Sequence, residues 1–160
     1  MYQHILVPLE NSSSDEVVLD HVRKLARHDA ARVSLIHVAH GHMARNQETL
    51  NLAPSHEMQE GRNYLETCRR RLAEDGLDVS AHLSWGEPSE EILGYAAKIG
   101  CDLITMATHG HGFLADLVLG SVSREVRHQT DIPVLLIRDR RRKKLKHKHH
   151  TRTTRTRPIY

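Results

Sequence analysis

The chain of 160 residues predicts an α/β fold: a three-layer α/β/α sandwich around a five-stranded, mostly parallel, twisted sheet. Three observations carry that prediction. Short aliphatic runs alternate with segments of helical period in the order β-α-β-α-β-α-β-α-β, which gives a parallel sheet joined by right-handed crossovers. The runs are near-continuously apolar, as strands covered by helices on both faces must be. The apolar content is aliphatic, with one Trp, one Phe and four Tyr, so Val, Ile, Leu and Ala build the core.

The elements follow in order. His4-Ile5-Leu6-Val7-Pro8-Leu9 is the first strand, ending in Asn11-Ser12-Ser13-Ser14, a cluster that offers helix N-caps. Val17, Val18, His21, Val22 and Leu25 then recur at helical spacing until His28-Asp29. Residues 32–39, Arg-Val-Ser-Leu-Ile-His-Val-Ala, form a second strand, and the polar stretch from His40 to about His56 is expected to be a mobile loop. Met58, Tyr64, Leu65, Cys68 and Leu72 mark a helix from about Ser55 to Glu74, stopped by Asp75-Gly76. Residues 79–85 alternate as a third strand, Gly86-Glu87-Pro88-Ser89 turns into a helix reaching Ile99, and residues 102–107 are a buried fourth strand. After a glycine-bearing loop, a helix is expected from Phe113 to about His128, and Pro133-Val134-Leu135-Leu136-Ile137 is the last strand, expected at a sheet edge.

Charge divides the chain in two. Residues 1–137 hold 12 Lys and Arg against 19 Asp and Glu, a formal −7, whereas residues 138–160 hold 11 against one, a formal +10. The expected organisation is therefore one domain over residues 1–138 and a basic, His-containing, disordered tail over residues 139–160. The tail lacks the apolar face of a membrane helix; it reads as a solvated segment or as a weak contact for polyanions by counterion release. Cys68 and Cys101 have no C-x-x-C spacing and read as buried small hydrophobes. No signal-peptide pattern or membrane-length apolar run occurs, so the expected location is the cytoplasm, with no membrane insertion.

Ligands of doubly wound sheets sit at the carboxyl ends of the strands where strand order reverses, which directs attention to the loops after Leu9, Val38 and Met106. The third of these carries Met106-Ala107-Thr108-His109-Gly110, and Gly120-Ser121-Val122-Ser123 follows. Glycines that admit close approach, free backbone N–H groups and hydroxyls can together cradle a phosphate. The same glycines could instead serve only the turn and close helix packing.

At these residues the chain resembles the universal stress protein family, over essentially all of residues 2–137. The resemblance rests on Ile5-Leu6-Val7-Pro8, Leu35-Ile36-His37-Val38, Gly86-x-Pro88, Asp102-Leu103-Ile104 leading to Thr108-His109-Gly110, nine residues to Gly120-Ser121, and Pro133-Val134-Leu135-Leu136. It implies a Rossmann-like fold of the adenine nucleotide α-hydrolase kind, a stress-response or signalling role, and binding of ATP, or of ADP or AMP, accompanied by Mg2+ or Mn2+. It further implies that Gly110, Gly120, Ser121 and Ser123 line the phosphates with Val122 nearby, and that Ala107 and His109 border ribose and phosphates beside Met106. Pro8, Leu9 and Val38 would line the adenine pocket, and Glu10 would contact the nucleotide where the family usually has Asp. Ala107, His111 and Phe113 also depart from the family pattern. They keep open an alternative in which a dimeric interaction module acts through protein or polyanion contacts without a nucleotide.

No catalytic set is identified: G-x-S-x-G is absent, and the most that positioned phosphates and a metal would support is weak ATP hydrolysis. His37-x-x-His40-x-His42 and His109-x-His111 lack the acidic or thiol partners of a recognised metal site, and no protein metal site is expected. An apolar edge strand is a liability unless paired, so the last strand is expected to pair with itself across a two-fold axis in a homodimer.

Overall fold

The computed structural model describes residues 1–39, 56–108 and 120–139. Over these the chain runs β1 (His4–Leu9), α1 (Asp15–Asp29), β2 (Arg32–Ala39), α2 (His56–Glu74), β3 (Val79–Trp85), α3 (Pro88–Ile99), β4 (Leu103–Ala107), α4 (Ser121–Gln129) and β5 (Val134–Ile137). The five strands form one sheet in the order β3-β2-β1-β4-β5, and every neighbouring pair is parallel. Each strand lies within one residue of its expected bounds.

The sheet separates two cores because side chains alternate between its faces. Ile5, Val7, Leu9, Val33, Leu35 and Leu103 pack with Val18, Val22 and Ala26 of α1 and Leu65, Cys68 and Leu72 of α2. On the other face Leu6, Ile36, Val38, Ile104 and Met106 meet Ile92 and Ala96 of α3 and Val126 of α4. Every residue of β1 is buried, as befits the central strand. Both cysteines are buried free thiols, and burial raises the Cys101 thiol to about 11.

β5 is an edge strand, as expected, and all four of its residues are only partly buried. The fourth helix departs from the expected span: it begins at Ser121, with Gly120 outside it at φ −52° and ψ 149°. An extended glycine ends any helical run that precedes it. Most of the loop expected from His40 to about His56, the start of the expected helix at residues 113–119, and the tail beyond residue 139 lie outside the described residues. Among the described residues no helix is long and apolar enough to cross a membrane.

Candidate functional site

The backbone directions of β1 explain where the sheet opens. The His4 carbonyl accepts the Asp102 N–H at 3.0 Å, and the Gln3 carbonyl accepts the Arg32 N–H at 3.0 Å. Alternate residues of a strand address opposite neighbours, so His4, Leu6 and Pro8 address β4. Pro8 has no N–H to give. The β1–β4 ladder accordingly stops at Leu6–Ile104, although β4 continues to Ala107, while the β1–β2 ladder runs on to Leu9–His37. Proline in a central strand is normally unfavourable; here it ends the pairing where the strand order reverses, the place where sheets of this kind take ligands.

The structure gathers most of the expected site residues at this crevice. Pro8 and Leu9 are buried at the end of β1, and Glu10 is exposed just beyond them. Val38 and Met106 belong to one apolar cluster, against which Val122 of α4 packs. Ala107 is half-buried and packs toward the opposite core. Gly120 is tied to the end of β4 by its N–H, which donates to the Thr108 carbonyl at 2.9 Å. Ser121 is exposed at the start of α4, whereas the buried Ser123 hydroxyl donates back to the Gly120 carbonyl at 3.0 Å. His109 and Gly110 lie outside the described residues.

The two helix N-termini at this end of the sheet differ in their electrostatics. α4 has no acidic residue in its first turn and no side-chain cap, so its partial positive charge faces the crevice uncompensated from within the helix. The backbone of Gly120 is one any residue adopts, and a Cβ there would meet Thr108 O at 3.6 Å and Ser123 Oγ at 3.7 Å. Among the described residues neither strain nor packing therefore demands a glycine. α1 instead begins with Asp15 and Glu16. The Asp15 carboxylate is buried, and its Oδ2 accepts the Glu10 N–H at 3.1 Å and the Ser12 N–H at 3.0 Å.

Sequence reasoning took Tyr64 only as an apolar-face residue of its helix and did not single out Asp15 or Gly61. The Tyr64 hydroxyl of α2 donates to Asp15 Oδ2 at 2.7 Å. Its pKa lies well above the ordinary tyrosine range, through burial first and then Asp15. The His37 Nδ1–H donates to the Leu9 carbonyl at 2.8 Å, a carbonyl being able only to accept. The His37 and Tyr64 rings meet edge to face at 6.4 Å. α2 comes this close because Gly61 has no side chain: a Cβ there would stand 3.0 Å from His37 Cδ2. These residues span β1, α1, β2 and α2, so no local spacing announces them.

Among the described residues no group of three or more His, Cys, Asp or Glu comes together to hold a metal. A separate surface cleft of about 270 Å3, lined by His82, Glu90, Glu91, Gly94, Tyr95 and Lys98, shares no residue with the crevice.

Comparison with known proteins agrees with this architecture. The family model described as the universal stress protein family matches residues 1–138. The universal stress protein YxiE of Bacillus subtilis is 30% identical, over 86% of this chain and 100% of its own length. The solved structure of protein MJ0577, which bears the name universal stress protein in Methanocaldococcus jannaschii, superposes with a TM-score of 0.73 at 30% identity, over 87% of this chain and 97% of its own. A universal stress protein from Archaeoglobus fulgidus, solved in complex with dAMP, shares the fold with a TM-score of 0.66 at 22% identity, over 85% and 98% of the two chains. With its sheet order, its crevice beside Pro8 and a family match over residues 1–138, the chain belongs to the universal stress protein family.

Proposed function

We propose that the crevice binds an adenine nucleotide, ATP, ADP or AMP, and that the protein acts as a nucleotide-dependent regulatory or signalling component of a stress response rather than as a dedicated catalyst. The observation that carries this reading is the N-terminus of α4, which stands uncapped and without acidic residues beside the end of β4, with a glycine at its mouth that the described residues do not require. Backbone N–H groups and the helix dipole at such an end suit phosphate. Phosphates would lie on Gly110, Gly120 and the exposed Ser121, with Ser123 supporting Gly120 from behind. The base would lie among Pro8, Leu9, Val38 and Met106, and the ribose would lie near Glu10, Ala107 and His109. The dAMP complex of the Archaeoglobus fulgidus relative supports the ligand class. A divalent cation, Mg2+ or Mn2+, would arrive on the triphosphate, which needs few protein ligands.

The partly buried apolar edge of β5 supports self-pairing in a homodimer, and the formal +10 of residues 138–160 supports a weak accessory contact with polyanions. The test is calorimetric titration of the full chain, and of a truncation after Asp139, with ATP, ADP and AMP in the presence of magnesium. Micromolar binding by both forms, lost in Gly120→Val, is the expected result. Absence of binding in both overturns the nucleotide reading and favours an interaction module acting through its dimer surface or tail.

A further inference from the structure

We infer that Tyr64, acting through Asp15, is the positioning residue that holds the β1–α1 loop, and Glu10 with it, in the shape the crevice needs; the inference rests on the nucleotide reading above. The loop is short, residues 10–14, and Asn11 within it adopts φ +57°. Asn is one of the few non-glycine residues that take the left-handed region readily, and its surroundings must over-determine the strain that remains. Asp15 supplies that determination: one buried carboxylate oxygen takes the N–H groups of Glu10 and Ser12 from one side and the Tyr64 hydroxyl from the other. Burial and the Asp15 charge keep the phenol protonated, so it acts only as a donor toward Asp15.

The height of Tyr64 is set by the docking of α2, where Gly61 lies against the His37 ring, itself bonded to the Leu9 carbonyl. A residue 49 positions from Asp15 thus fixes where Glu10 leaves the sheet. The arrangement also sets a polarity. Two N–H groups at the entry to α1 are already taken by the buried Asp15 carboxylate, while Glu16 beside it is paired with Arg71, so the Asp15 charge disfavours an anion there and leaves it to α4. The nucleoside end of the ligand therefore faces β1, and the phosphates face Gly120.

Tyr64→Phe tests the assignment. Losing one hydrogen bond to a charged group is expected to weaken AMP, ADP and ATP binding by the same factor, roughly ten-fold, because the loop touches the part the three ligands share. In the ligand-free protein, amide exchange at Glu10 and Ser12 should rise about ten-fold while Leu6 and Ile104 stay unchanged. In an Asp15→Ala background, Tyr64→Phe should add nothing; if that variant does not fold, the exchange rates of Tyr64→Phe alone decide, a rise upholding the brace and no change refuting it. Unchanged exchange at Glu10 and Ser12, a loss confined to ATP, or additive effects in the double variant would each overturn the inference. A wild-type chain that binds none of the three ligands would remove the proposed function instead. The exchange rates then decide the brace by themselves, a rise upholding it and no change refuting it.

Discussion

Two glycines inside helices, Gly61 in α2 and Gly94 in α3, should respond to the same substitution with opposite signs. Replacing a mid-helix glycine by alanine gains about 1 kcal/mol of helix propensity. At Gly94 the new methyl meets nothing within 4 Å, so the gain is kept, about 0.5 to 1 kcal/mol after context. At Gly61 the methyl would stand 3.0 Å from His37 Cδ2, 3.3 Å from Leu83 Cδ1 and 3.4 Å from His37 Nε2. The ring cannot yield freely, because its Nδ1 is bonded to the Leu9 carbonyl at 2.8 Å. Overpacking of that kind costs about 1 to 3 kcal/mol, and a weakened hydrogen bond costs about 1 more. The net for Gly61→Ala is a loss of about 1 to 3 kcal/mol. Urea denaturation read by circular dichroism measures both, with melting shifts of about 2 to 4 °C per kcal/mol for a domain of this size. Two variants that move in the same direction would refute the packing assigned to α2 on β2.

Gly120→Ala should leave the melting temperature within about 2 °C, since its Cβ finds ordinary van der Waals space, yet weaken ATP binding measurably by calorimetry; unchanged affinity would separate the glycine from the ligand. Leu135→Lys on the β5 edge should give monomers by light scattering, and an unchanged dimer would move the interface elsewhere. His4 is buried and bonded through Nε2 to Ser34 Oγ at 2.8 Å. Burial, followed by Arg32, lowers its pKa from 6.5 against the opposing pull of Asp102 and Asp78. The unfolded chain therefore binds the proton more tightly, and stability falls as pH drops through about 6.5 toward the lower folded value. Urea midpoints at pH 7 and pH 5 should differ less in His4→Asn than in the wild type; an equal difference would show that His4 does not carry the effect.

The strands were legible because burial on both faces leaves a plain signature: Ile5 to Leu9 is apolar without interruption, and Leu103 to Met106 is broken only by Thr105. The edge position of β5 was legible as the terminal element of a wound order. Gly120 stood out as a break in a helical pattern, and the structure makes it the N-cap of a helix shorter than the pattern suggested. Pro8 was visible, yet its effect on the β1–β4 ladder was not, because that depends on which neighbour its missing N–H would have addressed. Asp15 carried no signal of its own in the sequence. Its burial and its bond to Tyr64 arise only once α2 is laid across β2, a tertiary event that no periodicity encodes.

The strand order also bears on how the chain is made. β1 pairs with β2 within some thirty residues, but its other side waits for β4, with Ile5 opposite Leu103 and Leu6 opposite Ile104. At ribosomal speeds of about 5 to 20 residues per second, that interval lasts roughly 5 to 20 seconds, during which the most buried strand of the protein shows an open apolar flank. Pro8 lies on that flank and offers no donor to a passing strand, which blunts it against wrong partners. When β4 emerges, the Asp102 carboxylate receives the Gln3 and His4 N–H groups at 2.8 and 2.9 Å, closing the seam at its base. The same proline that leaves the crevice open in the finished molecule thus guards the nascent one.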